Sequence, residues 1–367
     1  MKIMLVIRWP VGGIKTYLQY LYQFQILSKH QYIIVAPDLE LKAYIASVFS
    51  NSQYSFYATE DSSSDLYKVT KKAIILEKPD LVHSHGTTAG IIVSSVLLFS
   101  STPHLLTTHD VFFNSQFKGI KGWLKKQFIK TLLNRADVIN PCGYDAANNF
   151  TSFFPSISTK KVKPIRNGID IEKFKNKTVR DLRHETKIDD DVLLLGFFGR
   201  FMSQKGFDLL VGALKKNDKT KVHVACFGWG GFIREEQDKI KTEGLDASFT
   251  FFDQTNDMPA ALRGVDVAVM PSRWEACPLL PMESLVVGTP VIASDCVGMK
   301  EVCNGSPAQV FASGSITALA KTISYVSDNI EAVNEATKDY KHKAVEAFDS
   351  ENTALNLNQL YLTMTND

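Results

Sequence analysis

Along most of the chain, short apolar runs alternate with stretches whose apolar residues recur every three or four positions. Runs such as KIMLVI (2–7), QYIIVAP (31–37), VLLLGFFG (192–199) and KVHVACFG (221–228) are apolar on both faces of an extended chain. They predict strands covered on both sides. Further strands are predicted at DLVHSH (80–85), HLLTTH (104–109), ADVINP (136–141) and KVKPIRN (161–167), then at SFTFFD (248–253), VDVAVMP (265–271) and TPVIAS (289–294). Helical periodicity fills the gaps, for example over residues 14–27 and 123–133. Strands alternating with amphipathic helices mean βα units and a parallel sheet. Two such series, one per half, predict an α/β protein of two doubly wound, Rossmann-like domains. Asn167-Gly168 is a turn signal after a strand and places the seam there. The last ~35 residues are helical, with Ala344, Ala347, Phe348, Leu355, Leu357 and Leu360 recurring on one face.

Composition agrees with this division. A chain of 367 residues suits two domains, and 45% hydrophobic with 22% charged residues is ordinary for a globular protein. The net charge of +2 hides an asymmetry, because residues 1–165 carry 18 Lys/Arg against 10 Asp/Glu, and the remainder is acidic. A basic first half suits an anionic surface or substrate. Five cysteines (142, 226, 277, 296, 303) without a C-x-x-C pair read as buried free thiols in a reducing compartment. The start MKIMLVIRWP is too short an apolar run for a signal peptide. The longest apolar stretch, IIVSSVLLF at 91–99, falls short of the ~20 residues of a membrane helix. A cytosolic protein is expected.

Three loops carry candidate chemistry. In GFFGRFMSQKGFDLLVGAL (196–214), a strand gives way to a helix through a loop holding Gly199, Arg200 and Lys205, which offers bare backbone and fixed positive charge to phosphate. The competing reading is a plain turn with two solvated cations. MPSRWEACPLLPMESLVVGTPVIAS places Glu275 in a loop past a strand and Glu283 in the first turns of the next helix. Carboxylates accept hydrogen bonds from hydroxyls, and helix-start amides donate to phosphate. In VGGIKTY (11–17) a Gly-Gly turn opens the first helix, evenly balanced between a phosphate contact and a simple tight turn. All three loops belong at the carboxyl edge of their sheets, where ligands of open α/β sheets bind.

Other groups are weaker candidates. His83 and His85 share one strand face but have no further ligand cluster, so a metal site is not expected. His109 ends a strand at the carboxyl edge, where a catalytic group belongs, with a structural histidine the competing reading. Asp189-Asp190-Asp191 reads as a solvated turn. The basic segment 117–135 can gather Trp123, Leu124, Phe128, Ile129, Leu132 and Leu133 on one face, with Lys118, Lys121, Lys125, Lys126 and Lys130 largely off it. That face is expected to pack on the sheet, leaving the lysines to attract anionic lipid.

Together these segments resemble the family-four glycosyltransferases of the GT-B fold. The resemblance runs from VGGIKTY through LVHSHG, LLTTHD, ADVIN and IRNGID to GRFMSQKG and AALRGVDVAVMPSRWEACPLLPMESLVVGTPVIAS. It implies an acceptor domain over 1–166, a nucleotide-sugar domain over 167–348 facing it across a cleft, and a helix over 349–367 crossing back to the first domain. It also implies residue roles. Arg200 and Lys205 are similar to the pair that clamps the donor diphosphate, with the amides of Leu279 and Leu280 near the phosphates. Glu283 resembles the glutamate on the ribose, and Glu275 the one facing the donor sugar. Gly13 resembles a glycine close to the diphosphate, and His109 a histidine reaching the transferred sugar. Departures are Ala276-Cys277-Pro278 where a G-F-G-like stretch is usual, Asp253 near the nucleobase, and Cys142 in place of a serine.

The implied activity is retaining, metal-independent transfer of a sugar from a nucleotide-diphosphate sugar, with no other cofactor. The acceptor is a glycan or lipid-linked molecule of a surface polysaccharide or lipopolysaccharide, and no nucleic-acid partner is expected. The implied place is the cytoplasm, peripheral on the inner face of the membrane. An epimerase or hydrolase of sugar nucleotides with the same two lobes is the alternative. A non-catalytic subunit is a third, against which the intact Arg200, Lys205, Glu275 and Glu283 set argues.

Overall fold

Alternate residues of the first strand, Lys2–Ile7 (β1), serve two different cores. Ile3, Leu5 and Ile7 pack with Leu18 and Leu21 of the helix Gly13–Tyr22 and with Ala354 and Leu357 of the helix Ser350–Thr365. Met4 and Val6 face the other way, among Leu66 and Ala73 of the helix Ser63–Glu77 and Ala89 and Val93 of the helix Thr87–Val96. Residues of period two buried on both sides are what a parallel strand with helices on both faces requires.

A computed structural model describes residues 1–38, 41–46, 48–49, 53–217 and 220–365. In the first half β1 is joined by β2 (Gln31–Pro37), β3 (Tyr54–Thr59), β4 (Leu81–His85), β5 (His104–Thr108) and β6 (Val138–Pro141), in the order β3-β2-β1-β4-β5-β6. The second half holds β7 (Leu193–Phe198), β8 (Val222–Phe227), β9 (Phe249–Phe252), β10 (Val267–Met270), β11 (Val291–Ser294) and β12 (Gln309–Phe311), in the order β12-β11-β10-β7-β8-β9. Every pairing is parallel. Strand order reverses between β1 and β4 in one sheet and between β7 and β10 in the other, the places where such sheets open a crevice. The chain forms two units, Met1–Gly168 with the helix Ser350–Thr365, and Ile169–Asp349.

Several elements differ from the expectation. β3 and β12 are additional strands, each at a sheet edge, and neither carries a long apolar run. KVKPIRN is not a strand. It runs beside β6 through amides of Lys163, Ile165 and Asn167 that donate to the carbonyls of Ile139, Pro141 and Cys142 at 2.8, 3.2 and 3.1 Å, and Pro164 between them has no amide to give. The helix expected over 14–27 breaks at Phe24, which is extended (φ −69°, ψ 137°), leaving Gly13–Tyr22 and Gln25–Ser28. The C-terminal helical stretch likewise breaks at Asp349, between Ile330–Phe348 and Ser350–Thr365. Ala347 and Leu355 face outward, while Leu357 and Tyr361 are buried.

Polar side chains run through the first core. The His83 ring lies 2.7 Å from the Tyr361 hydroxyl through Nδ1 and 2.7 Å from Thr107 Oγ1 through Nε2. Tyr22 and Tyr361 hydroxyls are 2.9 Å apart, and Asn140 donates to Thr107 at 3.0 Å. One arrangement that fits these distances has Tyr22 donating to Tyr361, Tyr361 to His83 Nδ1, and His83 Nε2–H to Thr107. His104 sits between Ser84 (2.7 Å) and Ser94 (3.3 Å). Burial pushes the pKa of His83 well down and that of His104 to about 3.

In the second unit, Gly206 (φ 67°) turns the chain into the helix Phe207–Lys216 directly against the next loop. A Cβ there would run into the Pro271 carbonyl.

Two predictions follow from this packing. Gly206→Ala should cost ~2–3 kcal/mol, whereas Gly231→Ala, at a glycine facing open space, should stay within ~0.5 kcal/mol. Urea unfolding of both variants checks this, and equal midpoints would refute it. Because His83 and His104 are neutral in the fold but protonate near pH 6.5 when unfolded, the unfolded chain binds more protons below that pH. Stability should therefore fall from about pH 6.5 downward, by up to ~1.4 kcal/mol per pH unit per histidine, until the depressed folded pKa values are passed. A urea midpoint unchanged between about pH 7 and pH 5 would contradict neutral burial.

Candidate active site

The loop after β7 and the loop after β10 are stapled together by side chains. Glu275 is 7% exposed, and a carboxylate so enclosed needs compensating donors. Lys205 Nζ lies 2.6 Å from its Oε1, and Ser272 Oγ donates to the same oxygen at 2.8 Å. Gln204 Nε2 approaches Oε2 at 3.5 Å and donates to the Trp274 carbonyl at 3.0 Å. Beside them Arg273 grips Asp208 through two parallel bonds of 2.8 and 2.6 Å, and also donates to the Ser203 carbonyl. That fork holds the Asp208 carboxyl below its ordinary pKa and raises the guanidinium's. From behind, Gly298 (φ 77°) lets a third loop pass close to the carbonyls of Glu275 and Ala276.

Lys205, Glu275, Phe198, Met270, Pro278 and Leu280 line one hollow at the carboxyl ends of β7 and β10, where the strand order reverses. Arg200, two residues past β7, is partly exposed and makes no side-chain hydrogen bond or ion pair among the described residues. The helix Leu280–Val287 begins at the hollow with Pro281 in its first turn and no side-chain cap. Among the described residues the amides of Leu279 and Leu280 are given to no backbone carbonyl outside the helix. An uncapped helix start beside a lysine is suited to an anion, and Arg200 follows the same strand with its guanidinium unengaged among the described residues. Glu283 is buried in that first turn and coupled electrostatically to Lys173. Partial desolvation draws the Lys173 ammonium pKa down, and Asp170 and then Glu283 push it back up.

The first unit has its own cluster at the carboxyl edge. His85 ends β4 and His109 follows β5, with His85 Nδ1 and His109 Nε2 3.3 Å apart and the rings close to parallel (22°). Tyr17 stands edge-on to both rings. Asp110 accepts the Thr87 amide at 2.8 Å and so caps the helix after β4. Enclosure lowers the pKa of His109, against the pull of Asp110, and burial lowers that of His85 well below the ordinary value. Gly13 opens the helix after β1, behind Gly12 at φ 57°.

The site residues named from the sequence thus fall into two groups. Arg200, Lys205, Glu275, Leu279, Leu280 and Glu283 lie in the second unit; Gly13 and His109 lie in the first. Ser272, Gln204, Asp208, Arg273 and Lys173 were not anticipated. Ser272 and Gln204 lie inside the marked loops, but the Arg273–Asp208 pair spans 65 residues and leaves no periodic trace. His83 is a core histidine with both nitrogens engaged, and Asp191 is paired with Lys221 at 2.5 Å. All five cysteines are buried and none is in a disulfide.

The basic segment departs from the expectation. In the helix Gly119–Leu133 the residues that pack inward are Gly122, Ile129, Leu132 and Leu133. Ile120, Trp123, Leu124 and Phe128 are 80, 57, 55 and 61% exposed. At 100° per residue they share an arc of about 140°, with Lys126 and Lys130 along one border and Lys121 and Lys125 along the other. The helix has two apolar faces, and only one packs on the protein. Among the described residues no helix is long and apolar enough to cross a membrane.

Residues 11–173 match the family described as Glycosyltransferase Family 4, and residues 178–344 match Glycosyl transferases group 1. The chain is 26% identical over 311 residues to "Uncharacterized 41.2 kDa protein in cps region" of Klebsiella pneumoniae, covering 79% of this chain and 80% of that one. It is 25% identical over 309 residues to an Escherichia coli protein named UDP-Gal:alpha-D-GlcNAc-diphosphoundecaprenol alpha-1,3-galactosyltransferase, with 82% and 78% covered. Among solved structures, Anabaena HepE in complex with UDP-glucose matches with a TM-score of 0.84 at 17% identity, over 99% of this chain and 100% of that one. The two matched stretches take in nearly the whole chain, which belongs to the family-four glycosyltransferases and has the GT-B fold.

Proposed function

We propose that this glycosyltransferase moves a sugar from a nucleoside diphosphate sugar to a glycan or lipid-linked acceptor, in the synthesis of a surface polysaccharide. The observation that carries the reading is the hollow at β7 and β10. Buried Glu275 holds Lys205 there beside the uncapped helix start at Leu280, and unengaged Arg200 follows β7. Arg200, Lys205 and the amides of Leu279 and Leu280 take the diphosphate. Glu283 takes the ribose hydroxyls, Glu275 the donor sugar, and on the first unit Gly13 and His109 serve the diphosphate and the sugar. The HepE structure holds UDP-glucose, which favours a uridine nucleotide. The diphosphoundecaprenol in the name of the E. coli relative favours a lipid-linked acceptor.

Transfer proceeds without a metal, the departing diphosphate being stabilised by the fixed charges of Arg200 and Lys205. Such preorganised groups commonly contribute ~3–4 kcal/mol each. The configuration at the sugar carbon is retained. The acceptor oxygen attacks on the face from which the diphosphate leaves, and its proton passes to a donor phosphate oxygen. Double displacement would need a carboxylate nucleophile at the anomeric carbon, and in the first unit's cluster the carboxylate beside His109, that of Asp110, is already engaged by the Thr87 amide.

The exposed stripe Ile120, Trp123, Leu124 and Phe128, bordered by lysines, lies on the anionic inner face of a membrane and keeps the enzyme near its acceptor.

Arg200→Ala and Lys205→Ala should each lower transfer by roughly 10²-fold or more while leaving the folded protein intact by circular dichroism. Near-normal transfer in both would sink the diphosphate clamp. Sedimentation with vesicles should show binding to anionic but not neutral lipid, weakened ~10-fold or more by Trp123→Ser with Phe128→Ser. Equal binding by the double variant would remove the membrane role from this helix.

A further inference from the structure

We propose that His85 is a positioning residue that fixes the tautomer of His109, holding it as a neutral imidazole with its proton on Nδ1. His109 then offers a donor, not an acceptor, to an oxygen of the bound sugar; this last step rests on the reading of His109 given above. The two rings face each other through His85 Nδ1 and His109 Nε2 at 3.3 Å. Two neutral imidazoles at that distance hold one proton between the facing nitrogens.

The position of that proton follows from the other nitrogen of His85. Its Nε2 is sealed from solvent and has no hydrogen-bond partner among the described residues. If His109 Nε2–H were the donor, the proton of His85 would sit on Nε2, as a buried N–H with nothing to receive it. If His85 Nδ1–H is the donor, Nε2 carries only a lone pair, the milder defect of the two. The second arrangement bares His109 Nε2 and leaves the His109 proton on Nδ1. The neighbouring His83 has a partner at each nitrogen, Tyr361 and Thr107, and so has no bond to lend His85. Tyr17, edge-on to both rings, restrains their tilt without a competing hydrogen bond to either.

Long-range proton–nitrogen spectra of the full chain with labelled imidazoles read the tautomer without any substrate. A pyrrole-type Nδ1 and a pyridine-type Nε2 at His109 are expected, and the reverse overturns the proposal. His85→Phe keeps the ring but has no donor, and it should shift His109 toward the Nε2–H form. It should also lower kcat about 10- to 100-fold, the scale seen when a metal-bound histidine loses its outer partner, with KM for the donor little changed. His85→Asn, whose amide N–H falls near the place of Nδ1, should restore both the spectrum and most of kcat. If His85→Asn behaves like His85→Phe, or neither moves the spectrum, His85 does not set the tautomer. The role of His109 at the sugar is tested separately. Full transfer by His109→Ala would remove that role while the spectrum still decides the tautomer.

Discussion

The candidate site depends on the neutralisation of one enclosed carboxylate. Glu275 leaves the end of a strand for a loop with almost no access to water, and its charge is bearable there only because Lys205, Ser272 and Gln204 converge on it. Those donors come from two loops about 70 residues apart in sequence, so one electrostatic requirement fixes their mutual position. The Arg273–Asp208 fork repeats the joint a few residues away. The backbone joins the same two loops, through the Arg273 amide donating to the Gln204 carbonyl at 2.8 Å. With both pairs in place, the helix start at Leu280 is held at the crevice between β7 and β10.

On the proposed function this arrangement gives the two cations unequal parts. Among the described residues Arg200 has no side-chain hydrogen bond or ion pair to give up, so on that reading it would meet a diphosphate without losing one. Lys205 is already committed to Glu275, so a phosphate oxygen shares the ammonium's three protons with the carboxylate. A sugar hydroxyl donating to Glu275 would then compensate the charge that Lys205 partly withdraws. On that reading the donor diphosphate and the donor sugar would be coupled through one ion pair, each strengthening the hold on the other.

How much of this was legible depended on where burial is two-sided. β1, β2, β7 and β8 sit inside their sheets and read as unbroken apolar runs. β3 and β12 each close one edge of a sheet, and a half-buried YSFYAT or a three-residue QVF carries too little pattern to mark a strand. The opposite edge strands β6 and β9 keep a mostly apolar run. The loops bearing Arg200, Lys205, Glu275 and Glu283 were marked by residue type and position after a strand. Their joining was invisible, because a contact between Lys205 and Glu275 has no period. The helix Gly119–Leu133 failed differently. Its sequence holds enough apolar residues for a broad face, but Trp123, Leu124 and Phe128 lie on one side of the axis and Ile129 and Leu133 on the other. Only the neighbouring chain decides which side is covered.

The helix Ser350–Thr365 belongs to the core of the first unit, where Leu357 and Tyr361 are wholly enclosed and Tyr361 closes the chain of hydroxyls ending at His83. A ribosome makes the rest of that unit some 180 residues earlier. At the ~5–20 residues per second of synthesis, the first sheet waits on the order of ten seconds or more with one apolar flank open. By the end of that interval the second unit has all of its own residues, Ile169–Asp349, and can close before the first. The order of completion along this chain is therefore the reverse of the order of its translation.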